Sequence, residues 1–118
     1  MIEIKTSFNP FRMKLGRKEP VQLCIELVNK DAENTMLSMT LNLGAQFSIE
    51  KSGYKTSALE RISELKPGAS KKFYYEIWPK QSARPGQQPM QLTVLEHYQN
   101  FNYVKKEYKK NISLNVED

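Results

Sequence analysis

The stretch that decides the fold is LGRKEPVQLCIELVNKDAEN, residues 15–34. In its centre, residues 21–28 place an apolar side chain at every odd-numbered position, whereas the even-numbered positions carry Gln22, Cys24, Glu26 and Val28. Successive side chains of a β-strand point to opposite faces of a sheet, so this alternation predicts a strand that is buried on one face. The flanking residues 16–20 and 29–35 are rich in Gly, Pro, Asn and charged residues and predict turns.

The same pattern recurs along the chain. Alternating runs occupy residues 37–43, 71–78 and 90–97, and Pro67-Gly68 and Pro85-Gly86 each precede such a run. Proline presets φ and glycine accepts positive φ, so both dipeptides predict tight turns. The spacing of strands and turns predicts an all-β protein, an immunoglobulin-like antiparallel β-sandwich of seven to eight strands, formed as a single domain over the whole chain.

The apolar positions of these runs predict the core. The predicted core residues are Val21, Leu23, Ile25, Leu27, Leu37, Met39, Leu41, Phe73, Tyr75, Ile77, Leu92, Val94, Ile112, Leu114 and Val116. In the last strand, Val104 and Tyr108 are expected to share the inward face with Val116. Residues 58–65 are compatible with a helical turn or with an irregular strand.

Net charge, cysteine content and the distribution of apolar residues restrict the kind of protein that this chain can be. The formal net charge of +5 permits weak attraction to nucleic acid, anionic lipid or acidic protein and requires none of them. Cys24 is the only cysteine, so an internal disulfide is excluded and the hydrophobic core alone must stabilise the fold. The N-terminus lacks the apolar run of a signal peptide, and no stretch approaches the roughly 20 apolar residues of a membrane span. We expect a cytoplasmic protein by default, or a domain of a surface protein from which the signal has been removed.

The order of turns and strands also resembles a known family. Gly16–Pro20 lead into an alternating strand that ends in Asn29-Lys30-Asp31-Ala32-Glu33-Asn34, and Leu65-Lys66-Pro67-Gly68 and Pro85-Gly86 precede later strands. This layout, over roughly residues 12–117, resembles the immunoglobulin-like domains of the CARDB type, which are common in archaeal and bacterial surface proteins. The resemblance implies adhesion, spacing or protein interaction. It supplies no catalytic residues.

The chain has few of the residues on which catalytic sites usually depend. His97 is the only histidine, and we expect it to be a surface imidazole near the end of one strand, while Cys24 lies in the middle of another. A nucleophilic cysteine needs an adjacent, oriented base, and a zinc site needs more imidazole or thiolate ligands. The sequence therefore predicts a non-enzymatic domain with no metal and no cofactor.

The aromatic segment YQNFNY, residues 98–103, is a candidate binding tip. Tyr98, Phe101 and Tyr103 alternate with amides, a composition that is typical of binding loops. In a sandwich this turn is expected to share one end with the turns at residues 29–35 and 66–70. The alternative, which we favour, is that the rings fold back onto the rim of the core.

Two further surfaces are candidates for binding. Tyr74 and Trp78 alternate with the core positions of their strand, so they form an exposed apolar patch unless another element covers them; we expect them to be covered. Lys105, Lys106, Lys109 and Lys110 form the densest basic run, with tyrosines interleaved. Basic tracks with exposed aromatic residues bind nucleic acid, whereas lysines on an edge strand discourage aggregation. The predicted function is thus a protein-interaction or adhesion module whose partner is another protein or a glycan, with nucleic-acid binding as the alternative.

Overall fold

The computed structural model describes all 118 residues and consists of two β-sheets packed face to face. The strands are β1 (Ile2–Asn9), β2 (Arg12–Lys14), β3 (Val21–Asn29), β4 (Thr35–Asn42), β5 (Phe47–Ser48), β6 (Ser57–Leu65), β7 (Ser70–Pro79), β8 (Gly86–Tyr98) and β9 (Asn100–Glu117). A 3₁₀ turn at Leu15–Arg17 is the only helical element, and no helix has the length and hydrophobicity needed to span a membrane. The predicted all-β sandwich is confirmed, and residues 58–65 belong to a strand.

One sheet has the strand order β1-β3-β7-β5 and the other has the order β2-β9-β8-β4-β6. All neighbouring strands are antiparallel except β2, which runs parallel to the end of β9. The chain leaves β1 at Asn9-Pro10 and joins the other sheet at Arg12. One broken N-terminal strand thereby forms an edge of both sheets.

The core lies between the sheets where the alternating patterns predicted it. Thirteen of the fifteen predicted core residues are buried, and Leu23, Ile25 and Leu27 of β3 have no exposed surface. Phe73 and Tyr75 are only half-buried, because they lie on β7 near the rim of the sandwich. The core also contains residues that the sequence did not assign to it: Ile2, Met13, Val28, Leu43, Phe47, Leu65 and Met90.

A bulge in β9 overturns one prediction for the last strand. Glu96 of β8 pairs with Lys106, but the next residue, His97, pairs with Val104, so Lys105 has no partner. An extra residue in one strand reverses the facing of every side chain beyond it. Val104 therefore points away from the core and is 54% exposed, whereas the inward placement of Val116 is confirmed.

Candidate interaction surface at the hairpin end

Three turns meet at one end of the sandwich. The β3–β4 turn, the β6–β7 turn and the tip of the β8–β9 hairpin are brought together by strand register, in which Val28 pairs with Ser70 and Met36 pairs with His97. The hairpin tip itself turns at Gln99, whose φ of 68° is in the left-handed region. The structure thus places the aromatic segment at the end where the sequence predicted it.

Asn29 holds these turns in place. Its side chain is completely buried, and its Nδ2 donates to the carbonyl oxygens of Leu65 and Glu33, each at 2.8 Å. Its Oδ1 accepts from the backbone N–H of Asp31 at 2.9 Å. The main chain of Asn29 also bonds to two adjacent residues of the β6–β7 turn, donating to the carbonyl oxygen of Ala69 and accepting from the N–H of Gly68. A turn-forming asparagine in the sequence is therefore a buried cross-link between two turns.

His97 links the tip of the β8–β9 hairpin to strand β4 of the same sheet. His97 is 8% exposed, so the prediction that its imidazole lies on the surface is wrong. The residue lies on the outer face of the sheet, where the hairpin tip covers it. Its Nδ1 lies 3.2 Å from the carbonyl oxygen of Tyr103, and its Nε2 lies 2.7 Å from Oγ of Ser38. Because a carbonyl oxygen only accepts, Nδ1 must carry the proton, and in the neutral ring Nε2 accepts from the Ser38 hydroxyl. Both nitrogens are engaged, and Cys24 lies in the other sheet, so the two residues do not form a nucleophile–base pair.

The three aromatic side chains of the hairpin tip behave differently. Phe101 folds back, with its ring edge-on to His97 at a centroid distance of 5.2 Å and the Arg61 guanidinium carbon 5.2 Å from the ring centroid. It packs on the outer face of the sheet, so the favoured expectation that the rings pack on the core rim is wrong. Tyr98 is 61% exposed and Tyr103 is 59% exposed.

We call Tyr98, Phe101, Tyr103 and Val104 the hairpin-end surface. Val104 joins it because of the bulge at Lys105, a feature that residue pattern alone did not reveal. The sequence feature that could have indicated the bulge is the alternation of inward-facing and outward-facing residues along β8. Glu96 continues the inward series of Val94, so an inward-facing carboxylate indicated an irregularity near the end of the strand. This carboxylate accepts a hydrogen bond from the Tyr108 hydroxyl at 3.1 Å.

Tyr74 and Trp78 do not form one patch. Tyr74 lies on the outer face of the four-stranded sheet opposite Cys24 and is 57% exposed, so the expectation that it is covered is wrong. Trp78 is half-buried in a cleft at the opposite end of the sandwich from the hairpin tip, with the Lys51 ammonium 5.8 Å from its ring centroid. The two rings therefore belong to separate surfaces.

The four lysines of β9 are directed to different partners. Lys110 donates to the carbonyl oxygen of Ile4 at 3.1 Å, and Lys109 pairs with Glu107 at 3.4 Å. The ammonium of Lys106 lies 4.9 Å from the centroid of the Tyr108 ring. Together with Lys106, Lys105 lines a cleft of about 450 Å³ whose other walls include Glu33 and Glu96. The lysines thus do not line one continuous basic track.

Comparison with known proteins identifies no family. No protein-family model matches the chain, and no curated protein matches it. Among solved structures, the chain is similar to part of a β-glucuronidase from Bacteroides uniformis, with 16% identity and a TM-score of 0.47 over 96% of this chain and 13% of that chain. It is also similar to part of the alkylpurine DNA glycosylase AlkC of Pseudomonas fluorescens bound to DNA containing an abasic-site analogue, with 11% identity and a TM-score of 0.46 over 99% of this chain and 30% of that chain. This chain therefore spans less than a third of the length of either protein.

Proposed function

We propose that this chain is a non-enzymatic protein-interaction module with an immunoglobulin-like fold, and that the hairpin-end surface contacts its partner. The observation that carries the proposal is the pair of exposed rings, Tyr98 and Tyr103, on a hairpin that is fixed by buried hydrogen bonds. Exposed aromatic side chains are the groups that most often dominate the energy of a protein interface.

Preorganisation supports this role. The hydrogen bond from His97 holds the backbone at Tyr103, and the Phe101 ring is held between His97 and Arg61. A surface that is already ordered loses less conformational entropy on binding than a flexible loop does. Val104 extends the surface along the outer face of the sheet with an apolar side chain that a partner can bury.

The strand order supports the immunoglobulin-like assignment. The five-stranded sheet contains the consecutive neighbours β9, β8 and β4 with β6 added at its edge, and the other sheet pairs β1 with β3 and β3 with β7. Apart from the two-residue β5, which pairs with β7, this arrangement is compatible with an immunoglobulin sandwich whose first strand is divided between the two sheets. Domains of this architecture serve as adhesion units and spacers as well as binding modules, and a glycan partner is compatible with the same exposed rings.

The experiment is affinity capture from the cells in which the chain is native, comparing the wild type with a Tyr98→Ser, Tyr103→Ser double variant. The matched control is Tyr74→Ser, which removes an equally exposed ring from the other sheet. The proposal expects a captured protein that is lost with the double variant and kept with the control. Equal capture by all three proteins would contradict it.

Nucleic-acid binding is the alternative, and the basic residues Lys105 and Lys106 beside Tyr103 favour testing it. A gel-shift titration with single-stranded DNA or RNA at low and high salt separates the two functions, because phosphate contacts give affinities that fall steeply with salt. Binding that collapses with salt and is weakened by Lys105→Gln would favour this alternative. No binding at low salt would remove it.

A further inference from the structure

A second surface lies at the end of the sandwich opposite to the hairpin tip. There, Trp78 comes directly after the last residue of β7 that pairs with β3, and it lines a cleft of about 380 Å³. A second cleft of about 570 Å³ lies beside the first. The clefts share Lys51, Pro79, Lys80 and Gln81, so they adjoin each other and form a two-part groove. We call this the Trp78 groove.

The Trp78 groove is lined by a few apolar side chains among mostly polar ones. Trp78 is half-buried in the first cleft beside Leu15 and Pro79, and Tyr54 borders the second cleft with 91% of its surface exposed. Tyr54 is the most exposed of the large hydrophobic side chains. Its turn is ordered by a hydrogen bond from the N–H of Gly53 to the carbonyl oxygen of Glu50. The groove therefore offers two aromatic rings to a bound chain.

The rim of the same groove is cationic. Lys18, Lys51 and Lys80 line it, and no carboxylate is among its lining residues. None of the three ammonium groups lies within 4.0 Å of a carboxylate, whereas the ion pairs of the chain lie elsewhere. These three lysines have no ion-pair partner, so they raise the local concentration of anionic ligands and favour an acidic occupant.

We propose that the Trp78 groove binds an acidic peptide segment that carries an apolar side chain between its carboxylates. The apolar side chain would pack on Trp78 and Pro79, and the flanking carboxylates would pair with Lys51 and Lys80. Lys51 already lies over the indole ring, and an exposed cation–π contact is weak, so its ammonium is free to turn toward a carboxylate.

The presence of two adjoining clefts favours a peptide over a small anion. A single phosphate or carboxylate occupies one cleft at most, whereas two adjoining clefts with lysines along their rim match an extended chain. This inference does not depend on the function proposed for the hairpin-end surface, because the two surfaces share no residue and lie at opposite ends of the sandwich.

The test uses the intrinsic fluorescence of the whole chain, since Trp78 is its only tryptophan. The probe is the synthetic hexapeptide Glu-Glu-Leu-Pro-Glu-Glu with blocked termini, titrated at low ionic strength. The matched control peptide has glutamine in place of each glutamate. We expect a saturable change in Trp78 emission with the acidic peptide and a far weaker response to the control.

Charge variants locate the site. Lys51→Gln combined with Lys80→Gln should weaken binding about tenfold, because each exposed ion pair contributes a few-fold at low salt. Lys105→Gln combined with Lys109→Gln removes the same charge from β9, outside the groove, and should leave the affinity within about twofold.

Several results would overturn the proposal. They are an absence of any emission change up to millimolar peptide, equal binding of the glutamine peptide, and equal weakening by the two pairs of variants. Displacement of the peptide by inorganic phosphate or by a short oligonucleotide at the same concentration would assign the groove to phosphate-bearing ligands instead.

Discussion

Asn29→Ala tests the buried cross-link that orders the hairpin end. The substitution removes three side-chain hydrogen bonds and leaves the main-chain bonds of residue 29 in place. The carbonyl oxygen of Leu65 is then buried without its Asn29 partner, and an unsatisfied buried group costs about 1–3 kcal/mol. The groups of Glu33 and Asp31 are only partly buried, and water replaces part of what they lose. The free energy of unfolding should fall by about 2–4 kcal/mol.

Urea denaturation measures this change. A lower midpoint with an unchanged slope would report lost stability without a change in the surface exposed on unfolding. The matched control is Asn34→Ala, which removes one exposed hydrogen bond to the Glu64 carboxylate and should cost less than about 0.5 kcal/mol. A loss below about 1 kcal/mol for Asn29→Ala, or equal losses for the two variants, would refute the assignment of Asn29 as the residue that ties these turns together.

Three other predictions concern the core. Ile25→Ala should lower the free energy of unfolding by about 2–5 kcal/mol in the same assay, because Ile25 is fully buried in a strand that is paired on both sides; a smaller loss would show that the site collapses around the cavity. Tyr75→Phe should leave the free energy of unfolding at neutral pH within about 0.5 kcal/mol of the wild type or increase it, since the Tyr75 hydroxyl is buried without a hydrogen-bond partner. A large loss of stability would show that the hydroxyl has such a partner. Burial, with a contribution from the Glu60 carboxylate, raises the pKa of Tyr75 from 10.0 to about 12. Because the unfolded phenol ionises first, its contribution to stability is present below pH 10 and is lost as pH rises toward 12. Tyr75→Phe should therefore reduce the alkaline loss of stability and remove the step near pH 12 from a tyrosinate absorbance titration; an unchanged titration would contradict the raised pKa.

The strands were predictable because their signal is local. Residues 21–28 alternate with period two whatever strand they pair with, and the side chains on their odd positions can be assigned to the core from sequence alone. The same reasoning placed Leu92 and Val94 inside the sandwich. Phe73 is less buried than predicted, because alternation identifies which side chains of a strand face inward and not how far each one lies from the rim of the sandwich.

Features that depend on distant partners do not follow from the alternation within a single strand. The bulge at Lys105 exists because β9 must match the register of β8, and it alone turns Val104 outward. Asn29 reads as a turn residue, and its burial follows only when the β6–β7 turn closes over it. The surroundings of Trp78 are likewise set by residues from two different loops, such as Lys51 between β5 and β6 and Ala83 between β7 and β8.

The most direct test of the proposed function is photo-crosslinking in the native cells, with p-benzoylphenylalanine in place of Tyr103. The same amino acid in place of Tyr74 is the control, because both positions are exposed and lie in different sheets. The proposal predicts a covalent adduct between position 103 and one protein, and no such adduct from position 74. An adduct from position 74 alone, or adducts only with nucleic acid, would contradict the assignment of the hairpin-end surface as a protein-binding site.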